Sequence, residues 1–402
     1  MTHENRPAGH RNDGYRRSII LLALAAFGSA ATTRITDAIL PQLSQEFAVS
    51  VGEVSLVATG YSLTYGFFQV IFGPVGDRYG KFRVIFLACI ASMLACALCG
   101  FATSLPFLAA ARLLSGLTAA AIVPLSIAWI GDVIAYERRQ SVLAAFISGQ
   151  ITGILAGQIA GGIVGGYFGW RSVFFALTAI YIVVSAGLLL EMVAIPARRT
   201  GLGRGRPFVA SLGATFGLLK RPQVQCLLAA VASEGFCIFG ALTYVGADLS
   251  MRFGLSFAAV GLFLSAYALG GLVYAVLASR LLGWLGQARL AVSGAMLVAL
   301  AFVVIAAAPV AWVSFAAIGV LGLGFYMMHN TLQTIATQVV PEARGAAVSL
   351  FATCFFMAQA VGVFAGGAII DRLGGAVLFA IAAACVVVLG AAVRVWLGRS
   401  WS

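Results

Sequence analysis

The sequence predicts an all-α polytopic membrane protein, with 12 transmembrane helices in two parallel-repeat halves of six helices each. Three observations predict this fold class: the composition, the number of long apolar segments and an internal repeat. Of the 402 residues, 61% are hydrophobic and only 9% are charged. About a quarter of the residues in a soluble domain are charged, so this chain is expected to lie in a lipid bilayer.

Twelve apolar segments are long enough to cross a bilayer, which takes about 20 residues. They lie at 18–40, 54–75, 83–103, 106–130, 142–166, 171–194, 223–246, 257–280, 289–308, 311–338, 345–369 and 374–396. One connection is long, and it is rich in Arg and Gly. The predicted organisation is therefore a tail at 1–17, an N-terminal half at 18–195, a linker at 196–222, a C-terminal half at 223–397 and a tail at 398–402.

The two halves repeat each other in sequence. A shift of 205 positions places Gly169 on Gly374, and a shift of 206 places Gly80 on Gly286. Parallel repeats of six helices are typical of transporters that bind substrate between the halves, near the middle of the membrane. The repeat therefore predicts a small-molecule substrate and alternating access by rocking of the halves.

The net charge of +12 is explained by the way in which basic residues are distributed across the membrane. If the amino terminus is cytoplasmic, all but five of the 25 Lys and Arg residues lie in cytoplasmic segments. This is the positive-inside pattern, so we expect a multi-pass protein of the cell inner membrane with both termini in the cytoplasm. A nucleic-acid partner is not expected. Arg16 and Arg17 before an apolar run also resemble a secretory signal, but cleavage there would leave eleven helices and break the repeat.

A short polar loop separates the second and third apolar segments. It contains three glycines, an aspartate and three basic residues, in the pattern G-x-x-x-D-R-x-G-K-x-R. This pattern resembles the signature loop of the major facilitator superfamily, in which the aspartate docks on the start of helix 11 and closes the cytoplasmic side in the outward-open state. The resemblance implies a cytoplasmic gate made of Gly73, Asp77, Arg78, Gly80, Lys81 and Arg83, with Asp132 as a further member.

Two predicted helices carry small residues at every fourth position. A stripe of this kind lets two membrane helices approach closely. The helix-packing residues are Gly149, Gly153, Gly157 and Gly161 in helix 5 and Gly362 and Gly366 in helix 11. The helix 5 stripe resembles the superfamily's antiporter motif, except that Gln158 replaces its proline. The stripes form either a contact on which the halves move or a static packing seam.

Four ionisable residues fall within predicted membrane segments, where such groups usually have a function. Glu234 lies near the middle of helix 7, and an apolar surrounding penalises the ionised form of a carboxyl group. It fits three roles: proton carrier, substrate contact or structural hydrogen bond. Arg34 and Asp37 share a face of helix 1 and either neutralise each other or act in transport. Arg112 resembles the arginine of the superfamily's helix 4 motif, which is linked to proton coupling. Glu234, Asp37 and Arg112 are therefore the expected proton-coupling residues.

A polar stripe on helix 10 and several polar residues on helix 2 are the candidates for lining a cavity. The expected substrate-cavity residues are Arg34, Tyr61, Tyr65, Gln69, His329, Asn330 and Gln333. For the tyrosines, core packing is the alternative. For His329 the alternatives are a titrating group near neutral pH and a hydrogen-bonding filler.

These features predict a secondary transporter. The resemblance favours the drug:proton antiporter branch, with export of a small organic solute in exchange for protons. The alternatives are a proton-coupled or facilitative importer of a metabolite or vitamin and, more remotely, a membrane-embedded enzyme or receptor. The sequence contains no phosphate-binding G-x-x-x-x-G-K-S/T motif. We expect a monomer without enzymatic activity, cofactor or metal, whose partners are the substrate, protons and the bilayer.

Overall fold

The computed structural model describes residues 10–195 and 208–400, except for the side chains of residues 10–14, 136–137 and 399–400. All the regular secondary structure of these residues is helical. The long helices are α1 (His10–Phe47), α2 (Leu56–Tyr79), α3 (Lys81–Gly100), α4 (Leu105–Ala119 continued by Ile122–Val133), α5 (Tyr136–Phe168), α6 (Trp170–Ala194), α7 (Pro222–Glu234 continued by Gly240–Phe253), α8 (257–285), α9 (287–307), α10 (Ala311–Gln338), α11 (Arg344–Leu373) and α12 (Gly375–Ser400). Short helical turns lie at Val51–Val54, Leu218–Lys220, Gly235–Phe239 and Pro341–Ala343.

The helices cross the membrane twelve times. Within residues 10–195 and 208–400, eleven continuous helical stretches are long and apolar enough to span a bilayer. One of them, Phe257–Ala307, has 51 residues and would be about 75 Å long, more than twice the roughly 30 Å of a bilayer core. It is broken at Gly286, where φ is 68° and ψ is 168°, and forms the separate crossings α8 and α9. Eleven stretches with one counted twice make twelve crossings, which confirms the predicted fold class.

Glycines make the tight turns between paired helices. Gly80 joins α2 to α3 and Gly169 joins α5 to α6, with φ of 91° and 81°. Gly286 and Gly374 make the corresponding turns in the C-terminal half, with φ of 68° and 83°. Residues other than glycine rarely adopt backbone angles with positive φ of this kind. The sequence repeat that pairs these glycines is thus a repeat of turn geometry.

An even number of crossings places the first and last described residues, His10 and Ser400, on one side of the bundle, which we call the terminal side. The other side is the far side. The predicted linker falls partly on residues 196–207, which lie outside the described residues. Its described part contains the helix Phe208–Gly217, which the sequence reasoning did not predict. The proposed boundaries of the halves stay a prediction.

The glycine stripes pack within each half in this conformation, as the alternative of a packing seam requires, and a contact on which the halves move stays a prediction. A methyl group at Gly153 would collide with the backbone of Phe27 in α1, and one at Gly157 would meet Ala31. Gly149 and Gly161 also lie against α1. In the C-terminal half, Gly362 and Gly366 lie against the backbone of Phe236 and Gly240 in α7. Small residues at four-residue spacing indicate a close contact but do not identify the neighbouring helix.

Candidate functional site

The two halves are in contact on the far side. The carboxylate of Asp371, at the end of α11, accepts hydrogen bonds from Ser50 Oγ at 2.6 Å and from the backbone N–H of Gly52 at 3.0 Å. There is no room for a side chain at Gly52, since it would collide with Asp371 and with the carbonyl of Gly367. We call these contacts of Asp371 with Ser50 and Gly52 the far-side latch.

Sequence reasoning missed the far-side latch, although a signal was present. Asp371 begins an Asp-Arg-Leu-Gly sequence that matches the Asp-Arg-Tyr-Gly of the predicted gate at Asp77. Both sequences end a long helix at a glycine with positive φ. The match therefore marks an aspartate at the end of a helix on each side of the membrane.

A second contact on the far side joins α5 to α8. Methyl groups at Gly162 and Gly261 would each collide with the backbone of the other helix. Gln158, which replaces the proline of the antiporter motif, is buried beside Gly261. This contact between the halves is therefore formed by a neighbouring face of α5 and not by the stripe itself.

The terminal side is not closed in the same way. Apart from the adjoining residues and backbone of its own helix, no heavy atom of a described residue lies within 4 Å of the position that a Cβ would take at Gly73 of α2 or at Gly345 of α11. Asp77 does not dock on the start of α11 and instead pairs with Lys81, whose Nζ lies 3.2 Å from Asp77 and 2.6 Å from Asp132. The resemblance assigned the docked form to the opposite conformation, so the gate role of Asp77 stays a prediction.

The other two basic residues of the predicted gate make no ion pair with a described residue. Arg78 is exposed and lies over its neighbour Tyr79, with the guanidinium carbon 5.4 Å from the ring centre. Arg83 is exposed beside an apolar hollow. In this conformation Lys81 alone joins the two carboxylates of the predicted gate network.

Between the two sides, the structure brings together Glu234 of α7 and His329 of α10. Glu234 is fully buried, and its Oε2 lies 3.0 Å from His329 Nδ1. Its other oxygen, Oε1, has no hydrogen-bond partner among the described residues. The helix departs from α geometry directly after Glu234, in a π-helical turn at Gly235–Phe239. Such turns are frequent at functional sites.

Aromatic rings enclose the imidazole of His329. Phe325 stacks on it at 4.9 Å between ring centres, and Phe355 and Phe351 lie at 4.8 and 5.3 Å. The side chain of His329 is nevertheless 16% exposed. Within the pair, access to solvent is therefore through the histidine and not through the carboxylate.

A second buried ion pair lies in the N-terminal half. Arg34 and Asp37 of α1 are 3.5 Å apart, and their side chains are 7% and 5% exposed. The guanidinium carbon of Arg34 also lies 3.9 Å from the ring centre of Phe239, the last residue of the π-helical turn. Phe239 in turn contacts Phe355 and Phe325 beside His329. One aromatic cluster thus separates the two ion pairs.

Arg112 does not pair with Asp37 in this conformation. Its side chain is fully buried and donates to the backbone carbonyls of Thr32 and Val57. The guanidinium carbon lies 4.2 Å from the ring centre of Tyr61, and Nη2 has no hydrogen-bond partner among the described residues. The interior of the N-terminal half therefore contains a cation without a carboxylate partner.

The predicted cavity residues divide between the interface and the terminal-side opening. Tyr61 and Tyr65 are buried and stacked at 5.5 Å, and Tyr65 packs on Phe356 of the other half at 4.6 Å. The carbonyl of Gln69 accepts a hydrogen bond from Ser349 of α11 at 3.3 Å. The two tyrosines are packed in the core in this conformation, and their role in a substrate cavity stays a prediction.

The polar stripe of α10 lies on the terminal-side part of that helix. Asn330 lies beside Tyr274 of α8, whereas Gln333 and Thr334 are exposed. Exposed polar side chains on a membrane helix are expected to face water. The stripe therefore leads from the terminal side towards His329.

A family model described as Major Facilitator Superfamily matches residues 22–349 and 252–400. The chain belongs to the Major Facilitator Superfamily. It is accordingly a secondary transporter and a multi-pass membrane protein. Its homologues and its fold are those of transporters, and the described residues contain no group of three or more His, Cys, Asp or Glu side chains that could hold a metal ion.

Individual relatives agree with this assignment. The uncharacterized MFS-type transporter YceJ of Bacillus subtilis (strain 168) is 25% identical over 340 residues, which is 83% of this chain and 84% of the relative. The multidrug resistance protein D of Escherichia coli (strain K12) is 34% identical over 99 residues, 25% of each chain. Among solved structures, the nucleoside transporter NupG superposes with a TM-score of 0.79 over 94% of this chain and 99% of its own, at 12% identity. The last comparison concerns the fold alone.

Proposed function

We propose that this facilitator is a proton-coupled antiporter that exports a small organic solute or drug. The terminal side, which carries most of the basic residues, is assigned to the cytoplasm on the positive-inside rule. The conformation described above is then open to the cytoplasm and latched on the outer side. The observation that supports the proposal is the buried pair of Glu234 and His329.

The pair suits a proton-binding role because ionised groups are costly in a membrane interior. With one proton shared between them, Glu234 and His329 form either an ion pair or a neutral hydrogen-bonded pair. A second proton gives a neutral carboxyl beside an imidazolium, and loss of the first leaves an unpaired carboxylate. Each of these changes alters the buried charge next to the interface between the halves, which is the condition for coupling protonation to a change of conformation.

The aromatic cluster supplies a physical route for this coupling. Glu234 directly precedes the π-helical turn, and Phe239 at the end of that turn lies against Arg34 of the other half. A change of charge or hydrogen bonding at Glu234 therefore acts on the turn that carries the contact with the N-terminal half. In this proposal, the contacts of Arg34 and Asp37 change when Glu234 gains or loses a proton. The substrate competes with the proton for the cavity predicted between the halves.

Transport needs no nucleotide in this scheme. Movement of one charge across about 100 mV supplies roughly 2.3 kcal/mol, which corresponds to a solute gradient of about fiftyfold. The gradient that a single proton supports is therefore sufficient for useful export.

The test uses everted membrane vesicles, whose cytoplasmic face is outside, energised so that the lumen is acid. A pH-sensitive dye reports proton release as candidate compounds are added to wild type, to Glu234→Gln and to Glu53→Gln. The last variant makes the same substitution at an exposed glutamate on the far side. We expect a transported compound to release lumenal protons with wild type and Glu53→Gln but not with Glu234→Gln.

Two results would count against the proposal. Proton release by Glu234→Gln at the wild-type rate would exclude Glu234 as the carrier. If the wild-type protein releases no lumenal protons with any compound of a broad panel of drugs and metabolites, antiport of these compounds is excluded. Saturable uptake of one compound by whole cells would then identify an importer.

A further inference from the structure

A hollow of about 330 Å³ lies on the outside of the N-terminal half, away from the central site. It is bordered by α2, α3 and α4, and we call it the α3 groove. Its walls are almost entirely apolar and include Phe72, Leu87, Ala91 and Leu117, with Tyr79 and Arg83 at one end. Tyr79 and Leu87 are 53% and 51% exposed, so the groove is open to the surroundings of the helix bundle.

The groove runs along the membrane normal on the terminal side. Arg83 lies in the first turn of α3, and Ala91 lies eight residues further along the same helix, a distance of about 12 Å at 1.5 Å per residue. One leaflet contributes roughly 15 Å to a hydrocarbon core of about 30 Å. The groove therefore covers most of the depth of a single leaflet, and its charged end lies where lipid headgroups begin.

The charge at this end is not balanced by the protein. Lys81 is the residue that contacts Asp77 and Asp132, and Arg83 makes no ion pair with any described residue. Together, Arg78, Lys81 and Arg83 carry three positive charges against the two negative charges of Asp77 and Asp132, which leaves one positive charge. An exposed guanidinium is well suited to bidentate binding of a phosphate group.

We propose that the α3 groove binds one anionic phospholipid from the terminal-side leaflet, with an acyl chain along the apolar walls and the phosphate on Arg83. The single unbalanced positive charge favours a headgroup with a net negative charge over a zwitterionic one, whose ammonium would lie among the cations. Tyr79 at the rim has the amphipathic character of aromatic residues at membrane interfaces. The proposal does not depend on proton coupling, and only the name of the leaflet depends on the orientation proposed above.

The site also has a consequence for transport. The groove adjoins the turn at Gly80 that follows Asp77, so a bound lipid contacts the same segment that the superfamily resemblance assigns to the gate. Occupancy of the groove is expected to change the balance between the two conformations without contact with the central site.

The experiment measures lipid binding to the purified full-length protein by native mass spectrometry. Phosphatidylglycerol and phosphatidylcholine with identical acyl chains are added in equal amounts. Arg83→Gln removes the phosphate contact, Arg83→Lys keeps the charge, and Ala91→Trp fills the groove. The matched control is Arg394→Gln, an exposed arginine near the terminal-side end of α12. Thermal unfolding is recorded for each variant, so that only folded proteins are compared.

Wild type, Arg83→Lys and Arg394→Gln are expected to retain phosphatidylglycerol in preference to phosphatidylcholine. Arg83→Gln is expected to lower the preference about tenfold, as for loss of a charge-assisted hydrogen bond, and Ala91→Trp to lower binding of both lipids. Equal binding of the two lipids to wild type, or equal losses for Arg83→Gln and Arg394→Gln, would overturn the proposal. Displacement of the lipid by a transported compound would assign the groove to substrate instead.

Discussion

The far-side latch offers a direct test of how this transporter is held in one conformation. We predict that Asp371→Asn shifts the protein towards the conformation that is open on the far side. The substitution keeps the size of the side chain but removes its charge. It thereby weakens the hydrogen bonds from Ser50 Oγ and from the Gly52 N–H, at 2.6 and 3.0 Å.

The magnitude follows from the chemistry of these two bonds. Hydrogen bonds to charged groups contribute about 1.5–3 kcal/mol when they are shielded from water. The latch is exposed, so its contribution is discounted, and a loss of roughly 1–2 kcal/mol is expected for the pair of bonds. A change of this size shifts a two-state equilibrium by about five- to thirtyfold.

The assay is a distance measurement between spin labels on the far side, at Tyr167 of α5 and Met251 of α7. Both residues are exposed, and they lie in different halves. We expect the population with a long distance to increase in Asp371→Asn. The matched control is Arg372→Gln, since Arg372 is the exposed neighbour of Asp371 and makes no ion pair among the described residues. Identical distance distributions for wild type and both variants would refute the role of Asp371.

Two further predictions concern packing and the buried pair. Gly153→Ala is expected to destabilise the protein by about 1–3 kcal/mol, since the methyl group collides with Phe27. Gly131→Ala should have little effect because nothing lies within 4 Å of that position, and thermal unfolding in detergent compares the two. His329→Phe is expected to reduce proton-coupled transport at least tenfold, by leaving Glu234 without its partner. In a double-mutant cycle, the double variant of Glu234→Gln and His329→Phe should lose no more transport than the more impaired of the two single variants. Additive losses would show that the two residues act independently.

The sequence could predict the features that depend on composition and local geometry. Apolar segments of sufficient length predict the membrane helices, and the paired glycines, such as Gly80 and Gly286, predict the tight turns because few other residues accept their backbone angles. The acidic group of Glu234 could also be singled out, since ionisable residues are rare in membrane segments. Each of these inferences uses a property of one short stretch of chain.

Other features depend on which helices become neighbours, and these could not be predicted. Glu234 and His329 are 95 residues apart, and nothing in either helix identifies the other as its partner. The spacing at Gly149 predicts small residues on one face of a helix, but it does not reveal that the neighbour of this face in the structure is α1. The ion pair of Asp77 with Lys81 is a property of one conformation, and the alternating access predicted for this chain requires at least two.

The distribution of charge explains how two such conformations can be close in energy. No ion pair between described residues joins the two halves. Each pair lies within one half, as for Arg34 with Asp37 and Glu234 with His329, or joins a half to its adjoining tail or linker, as for Arg17 with Glu191 and Arg221 with Glu342. Removing one partner from a buried ion pair costs about 3–5 kcal/mol. Rocking of the halves avoids this cost because each half keeps its own counter-charges.

The contacts between the halves that must break near the middle of the membrane are weaker than these buried ion pairs. The contacts between the halves at this depth include the packing of Tyr65 on Phe356 at 4.6 Å between ring centres, the hydrogen bond from Gln359 to Ser62 at 2.9 Å and the contact of Arg34 with Phe239 at 3.9 Å. A neutral hydrogen bond contributes about 1 kcal/mol, and a cation–π contact about 0.5–2 kcal/mol. The hydrogen bonds that the Asp371 carboxylate accepts from the other half lie at the exposed rim, where water can replace the protein donors as the halves separate. In the proposed mechanism, charges paired within each half and weak contacts between the halves allow protonation of one buried pair to decide which side of the transporter is open.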